Sequence, residues 1–322
     1  MGRERDQNAD WEHAWERGCA AMAGVTRRRV SGSSPGIEIA LLDWGGEGDL
    51  IVLHHATGFC GANLAPIANG LRDRYRVIAI DARGHGDSTS ISPSENEQAY
   101  GWSTLAEDFE VATRAILQRV GAKKVKLAVG HSFGGALVLA AAQRDPDLIE
   151  KALLCDPVIF SPPTEAEAEA QAEAPSRKFD LAAGARNRRN EFDSFAAAYA
   201  HFASKRLFSD FPTEALSLYV GEGLREAPNG GVCLKCEPAV EAAVFENAAL
   251  SSLFEDVEKV RAEVLLLHAT QGNFDRERYD ALIARIPHGR VESLEVGHLF
   301  PMEEPARVLA AIDEMMSSGG GS

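Results

Sequence analysis

The stretch Lys124-Val-Lys-Leu-Ala-Val129-Gly130-His131-Ser132-Phe133-Gly134-Gly135, running on through Ala136-Leu-Val-Leu-Ala-Ala-Ala-Gln-Arg144, decides the fold. Its first half has the β-branched, apolar character of a short buried strand, and its second half is an Ala/Leu-rich helix former. Between them one serine stands in a tight strand-to-helix turn. Such a turn forces the serine backbone into a strained conformation, and small residues at 130 and 134 are needed for strand and helix to approach. The hydroxyl is then exposed at the strand's C-terminal end. The N-terminus of the helix aims N–H groups and the positive end of its dipole at charge developing there. The turn predicts a nucleophile, Ser132.

Working outward, strand-length apolar runs at 37–43, 50–54, 76–80, 125–129 and 152–155 alternate with helical patterns at 64–72, 104–120 and 134–144. Strands separated by longer helices imply right-handed crossovers and a largely parallel sheet covered on both faces. The rhythm returns with strands at 264–268 and 291–295 and a helix at 305–316. Residues 161–255 show no buried-strand runs. They read as a helical insert that contains Pro162-Pro163, a Glu/Ala-rich run at 164–175 without assigned chemistry, and an aromatic series Phe195, Tyr199, Phe202. That i, i+4, i+7 spacing is one helix face. It either packs within the insert or lies over the C-terminal strand ends, where Phe195 and Tyr199 would touch substrate.

A serine needs a base to take its proton. Val296-Gly297-His298-Leu-Phe-Pro301 follows the last strand, so His298 sits at the same rim as Ser132 and is held between Gly297 and Pro301. It is the expected base.

Bulk properties narrow the field. The chain has 322 residues, 45% of them hydrophobic and 25% charged, and carries 33 Lys+Arg against 48 Asp+Glu for a net charge of -15. A uniformly anionic surface disfavours nucleic acid and anionic membrane as partners. No apolar run reaches the ~18 residues of a membrane helix, and the N-terminus lacks a signal-peptide core. Five cysteines read as reduced thiols, which predicts a cytoplasmic protein. Cys233-Leu-Lys-Cys236 has zinc spacing but no second ligand pair nearby. No metal and no cofactor are expected, and neither a Walker loop nor a His-Glu-x-x-His helix occurs. Gly45-Gly-Glu-Gly48 reads as a turn. Near the N-terminus Trp11, Trp15 and Met22 share a face, which predicts a helix covering the core or an arm reaching the insert or a partner subunit; a homodimer stays open. Residues 318–322 read as a flexible linker.

Gly-His-Ser-Phe-Gly-Gly, the later Gly-His-Leu-Phe-Pro and Asp81-Ala-Arg-Gly-His-Gly-Asp-Ser88, in this order, resemble the α/β-hydrolase superfamily. The resemblance spans about two-thirds of the chain. It implies an α/β fold with a doubly wound, mostly parallel eight-stranded sheet. It divides the chain into a core at 25–158 and 256–317, a helical cap at 159–255 and an N-terminal segment at 1–24. It makes the 81–88 loop structural, and Ser132 at the elbow argues against the dehalogenases and epoxide hydrolases of the superfamily, which carry Asp there.

The resemblance also implies an oxyanion hole from the Phe133 N–H and an N–H after the strand at 50–54. There His54-His55-Ala56-Thr57-Gly58 departs from the usual His-Gly-x-x-Gly. By register Ala56 supplies the N–H, and His55 is placed near the site mouth, where it either touches substrate or only packs. For the acid, relatives use the loop after the seventh strand, where the expected position falls near Gly272; Asp275 lies three residues late. Asp156, at the end of the sixth strand, is the preferred choice and Asp275 the alternative.

The expected activity is hydrolysis of a small to medium, mainly apolar carboxylic ester through an acyl-enzyme on Ser132. Thioester, lactone, amide or carbon–carbon cleavage would use the same groups. A ligand-binding or sensor protein of the same fold is the alternative of a different class. In either case the partner is a small molecule.

Overall fold

The computed structural model describes residues 2–96, 98–159, 181–228, 230–248 and 251–317. The Glu/Ala-rich run and the C-terminal linker lie outside them. Eleven strands follow in chain order: β1 (Thr26–Ser31), β2 (Glu38–Gly45), β3 (Leu50–His54), β4 (Arg76–Ile80), β5 (Val125–His131), β6 (Ile149–Cys155), β7 (Glu191–Phe192), β8 (Leu224–Glu226), β9 (Val232–Leu234), β10 (Glu263–Ala269) and β11 (Gly289–Leu294). Eight form one sheet in the order β1-β2-β4-β3-β5-β6-β10-β11. β1 and β2 are antiparallel to their neighbours, and every other pair is parallel. This is the doubly wound α/β sheet expected.

Alternation along the strands builds a core on each face. Leu50 and Val52 of β3 join one apolar cluster, with Phe109 and Ile116 of the helix Trp102–Val120 and most of the helix Phe133–Arg144. Ile51 and Leu53 join the other, with Ile67 and Leu71 of the helix Ala65–Leu71 and Val308 and Ile312 of the helix Pro305–Ser317. Central strands buried on both sides read in sequence as continuous apolar runs, which is why they were legible. The polar edge strand β1, Thr-Arg-Arg-Arg-Val-Ser, is almost wholly exposed and shows no such pattern; charge at an edge discourages pairing with another chain.

β3 pairs with β4 on one side and β5 on the other, so the chain reverses its direction of winding there. The crevice at the C-terminal ends of β3 and β5 is the position where open α/β sheets place ligands.

One expectation is corrected between β6 and β10. That segment is not purely helical: β7, β9 and β8 form a small antiparallel sheet. Strands of two or three residues are too short for any periodicity to register. Cys233 and Cys236 are buried free thiols in and beside this sheet. The N-terminal helix Gly2–Ala21 does both things open to it: it packs chiefly on the helices Phe195–Ala203 and Thr213–Gly223 of the insert, and its end joins the core, where Ala21 enters an apolar cluster and its carbonyl accepts from Asn69.

Candidate active site

Ser132 ends β5 at φ 55°, ψ −118°, one of two non-glycine residues with positive φ among those described. The turn is held by Ser132 N–H donating to the Cys155 carbonyl at 2.9 Å and by Val158 N–H donating to the Ser132 carbonyl at 3.1 Å. Side chains cannot be added beside it. A Cβ on Gly130 would lie 2.4 Å from the Gly134 carbonyl oxygen, and one on Gly134 would lie 2.6 Å from the His55 carbonyl oxygen. The small residues at 130 and 134 are therefore steric requirements of the elbow.

His298 stands in the loop after β11, and its Nε2 is 3.0 Å from Ser132 Oγ. Its backbone is fixed from the elbow side, where the Nε2–H of buried His131 donates to the His298 carbonyl at 2.8 Å. Burial, and then the neighbouring His298, push His131 down to about 3, so it remains a neutral strut.

The structure brings Asp156 to the other side of His298. Its Oδ2 is 2.6 Å from His298 Nδ1. Asp156 is 0% exposed and sits at φ 44° just beyond β6, where its N–H donates to the Leu267 carbonyl. The second carboxylate oxygen accepts from Ala269 N–H at 3.1 Å and from the Tyr279 hydroxyl at 3.2 Å. A buried carboxylate with donors on both oxygens is satisfied as an anion. Asp275 is not part of this arrangement: it is exposed and begins the helix Arg276–Ile283. Ser132, His298 and Asp156 thus form a continuous hydrogen-bonded chain in which Asp156 orients the His298 ring and His298 reaches the Ser132 hydroxyl.

Ala56 and Phe133 lie at the adjoining ends of the β3 loop and the elbow helix, which touch through Gly134. Among the described residues, neither the Ala56 nor the Phe133 N–H is given to a protein acceptor. Both are buried. Two unspent N–H groups beside the serine suit a developing oxyanion.

For His55 the substrate-contact alternative is corrected and the packing one holds, because both ring nitrogens are used inside the protein: Nδ1–H donates to the Ala56 carbonyl at 2.8 Å and Nε2 accepts from Ala82 N–H at 2.9 Å. This fixes one neutral tautomer and ties the β3 loop to the chain after β4. Burial, reinforced by His54 and His85, holds the ring well below the ordinary histidine value. In place of a flexible glycine, the chain has a bolted imidazole.

Phe195 and Tyr199 are also corrected. Their rings pack on Trp11, at 5.9 Å and 5.6 Å between centroids, so this helix face meets the N-terminal helix. Phe202 turns inward instead, against Phe208 and Tyr219. A helical spacing shows which residues share a face but not what that face meets.

The 81–88 loop is structural, as expected. Asp81 accepts from Gly61 N–H at 2.7 Å and Asp87 N–H at 2.9 Å, and Arg83 forms a buried pair with Asp108 at 2.8 Å. Sequence reasoning missed Ala269, Phe274 and Tyr279. Phe274 lies 5.9 Å from the His298 ring in an edge contact. Nothing local marks these residues; they matter only because β10 lies beside β6. The one available signal was the count that placed the late acid position at Gly272.

A profile described as "Alpha/beta hydrolase family" matches residues 51–311. Among curated proteins, the chain is 29% identical over 189 residues to 2-(acetamidomethylene)succinate hydrolase of Mesorhizobium japonicum, covering 58% of each chain. It is 36% identical over 131 residues to protein phosphatase methylesterase 1 of Neurospora crassa, covering 34% of this chain and 29% of that one. These matches thus span less than two-thirds of either relative's own length. Among solved structures, the crystal structure of E-2-(acetamidomethylene)succinate hydrolase superposes with a TM-score of 0.70 at 22% identity, over 91% of this chain and 99% of that one. At that identity the likeness is one of fold. No helix among the described residues is long and apolar enough to cross a membrane.

Proposed function

The chain belongs to the alpha/beta hydrolase family, and from that premise we propose that it is a serine hydrolase acting on a small to medium, mainly apolar carboxylic ester. The observation that carries this reading is the relay from Ser132 Oγ to His298 Nε2 at 3.0 Å and from His298 Nδ1 to Asp156 Oδ2 at 2.6 Å. Within it, residues 159–255 are the cap on a core of 25–158 and 256–317.

Ser132 Oγ attacks the ester carbonyl while His298 Nε2 takes its proton. Asp156 keeps the His298 proton on Nδ1, so that Nε2 presents a lone pair to the serine, and it then stabilises the imidazolium. The carbonyl oxygen becomes an oxyanion held by the Ala56 and Phe133 N–H groups. Collapse expels the alcohol, protonated by His298, and leaves an acyl group on Ser132. Water, deprotonated by the same base, releases the acid. The Phe274 ring beside His298 supports an apolar substituent next to the scissile bond.

An ester is supported by the methylesterase among the relatives. An amide is the second reading, favoured by the relative whose name specifies an acetamido substrate. A fluorophosphonate should label Ser132 stoichiometrically, with the label lost in Ser132→Ala. A panel of esters, thioesters and amides with matched acyl groups, compared by kcat/KM, then ranks the bonds. A folded protein that takes no label would overturn the enzyme reading in favour of a binding protein of this fold.

A further inference from the structure

We propose that Tyr279 is a positioning residue whose hydroxyl holds the Asp156 carboxylate and thereby sets the basicity of the base, His298. This rests on the triad reading given above. Tyr279 lies on the helix Arg276–Ile283, between β10 and β11, and is fully buried. Its hydroxyl reaches Asp156 Oδ1 at 3.2 Å and the Pro157 carbonyl at 2.8 Å. Only one hydroxyl proton serves those two acceptors, so it is shared between the nearer carbonyl and the more distant but charged carboxylate. Among the described residues Tyr279 is the only side chain besides His298 that donates to Asp156; the third donor is the Ala269 backbone.

Asp156 is fully buried, so its carboxylate is cut off from water and depends on protein donors. It is fixed at both oxygens. His298 takes Oδ2, while Ala269 and Tyr279 take Oδ1. The Tyr279 ring is held in turn by edge contact with His268 at 5.5 Å. Burial and the adjacent Asp156 raise the phenol, so it stays a protonated donor across the working range.

Removing this hydroxyl leaves Oδ1 with one donor. The carboxylate charge is then less satisfied by the protein and pulls harder on the His298 proton, because a hydrogen bond to the charged form favours that form. The titratable groups facing this pair are His131 from the elbow, Cys155 beside Asp156, Glu303 from the short helix after the base, and His268 and Arg278 around Tyr279. His131 and Cys155 are held uncharged by burial.

The test is a double-mutant cycle of Tyr279→Phe and Asp156→Asn on the full chain, read as kcat/KM against pH with an activated ester. Tyr279→Phe keeps the ring, and with it the packing. The expected result is a roughly tenfold lower kcat/KM and an acid limb moved to higher pH by about half a unit or more, consistent with loss of a hydrogen bond to a charged group. In the Asp156→Asn background the same substitution should change kcat/KM less than twofold. An unmoved limb in Tyr279→Phe, while Asp156→Asn is slowed by about 10³-fold or more, overturns the Tyr279 proposal and leaves the triad standing. If Asp156→Asn stays within about tenfold of the parent, the triad reading itself fails. A Tyr279→Phe loss that is equal in both backgrounds means packing alone and also overturns the proposal.

Discussion

A Cβ atom on Gly272 would lie 2.8 Å from Asp156 Oδ2, the oxygen that accepts from His298 Nδ1. The position where the resemblance places the late-loop acid therefore adjoins the carboxylate oxygen that His298 meets. Glycine there leaves the space that the Asp156 carboxylate occupies.

This makes position 272 testable from both directions. Gly272→Ala should crowd the carboxylate and also the Ala269 carbonyl oxygen, which lies 3.0 Å from the same Cβ. Turnover is expected to fall by about tenfold or more with only a small change in Tm, as overpacking displaces the acid. In Asp156→Gly, which removes the acid and relieves its positive φ, adding Gly272→Asp should restore at least tenfold in kcat. No restoration in a folded double variant would show that the two positions do not serve the same nitrogen.

The two candidate acids should separate cleanly by amide substitution. Asp156→Asn is expected to lower kcat by about 10³-fold or more, because the wrong tautomer of His298 is then favoured. Asp275→Asn, at an exposed helix start, should stay within about twofold. Steady-state kinetics on one ester decides it; a large loss in Asp275→Asn alone would remove Asp156 from the triad.

The elbow should resist even one methyl group. Gly134→Ala places a carbon 2.6 Å from the His55 carbonyl oxygen and 2.7 Å from that of His54. Backbone atoms cannot swing aside as a side chain can, so a loss of about 1–3 kcal/mol is expected. Chemical denaturation measures it, and a neutral result would mean that the β3 loop is not seated as described.

Acid should destabilise this protein early. His54 and His85 are held at about 4, His131 at about 3 and His55 well below the ordinary value, in each case chiefly by burial. Folding favours their neutral forms, so their contribution is complete above the unfolded value of about 6.5 and is lost as pH falls toward the folded values. Asp81, raised to about 6 by burial, acts in the opposite sense: its contribution is present at low pH and lost as pH rises through 6. Four histidines outweigh one aspartate, so near pH 5 unfolding should take up about three protons. Calorimetry in buffers of different ionisation enthalpy counts them; a flat Tm from pH 7 to 5 would contradict this account.

The N-terminal helix should be separable from the chemistry. Trp11→Ala removes the ring packed between Trp15, Phe195 and Tyr199. The helix should then become open to proteolysis, while turnover of a small activated ester changes less than about threefold. A collapse of that activity with an intact fold would assign the helix to the site.

The central sheet was legible because its strands are buried on both faces and therefore read as apolar runs. The elbow was legible because a strained turn at Ser132 tolerates only small neighbours, and that constraint is local. His298 followed from its place in the loop after the last strand. The sequence by itself therefore determined the α/β architecture and two of the three members of the relay. Tertiary structure alone decided the rest. Whether Asp156 or Asp275 meets His298 depends on β10 lying beside β6, a pairing of residues more than a hundred positions apart. The choice for His55 between substrate contact and packing was open to the sequence because only the fold supplies the Ala82 N–H that occupies its ring. Phe195 and Tyr199 were misjudged because a helical period records a shared face and leaves its partner, here Trp11, to the packing of the whole chain.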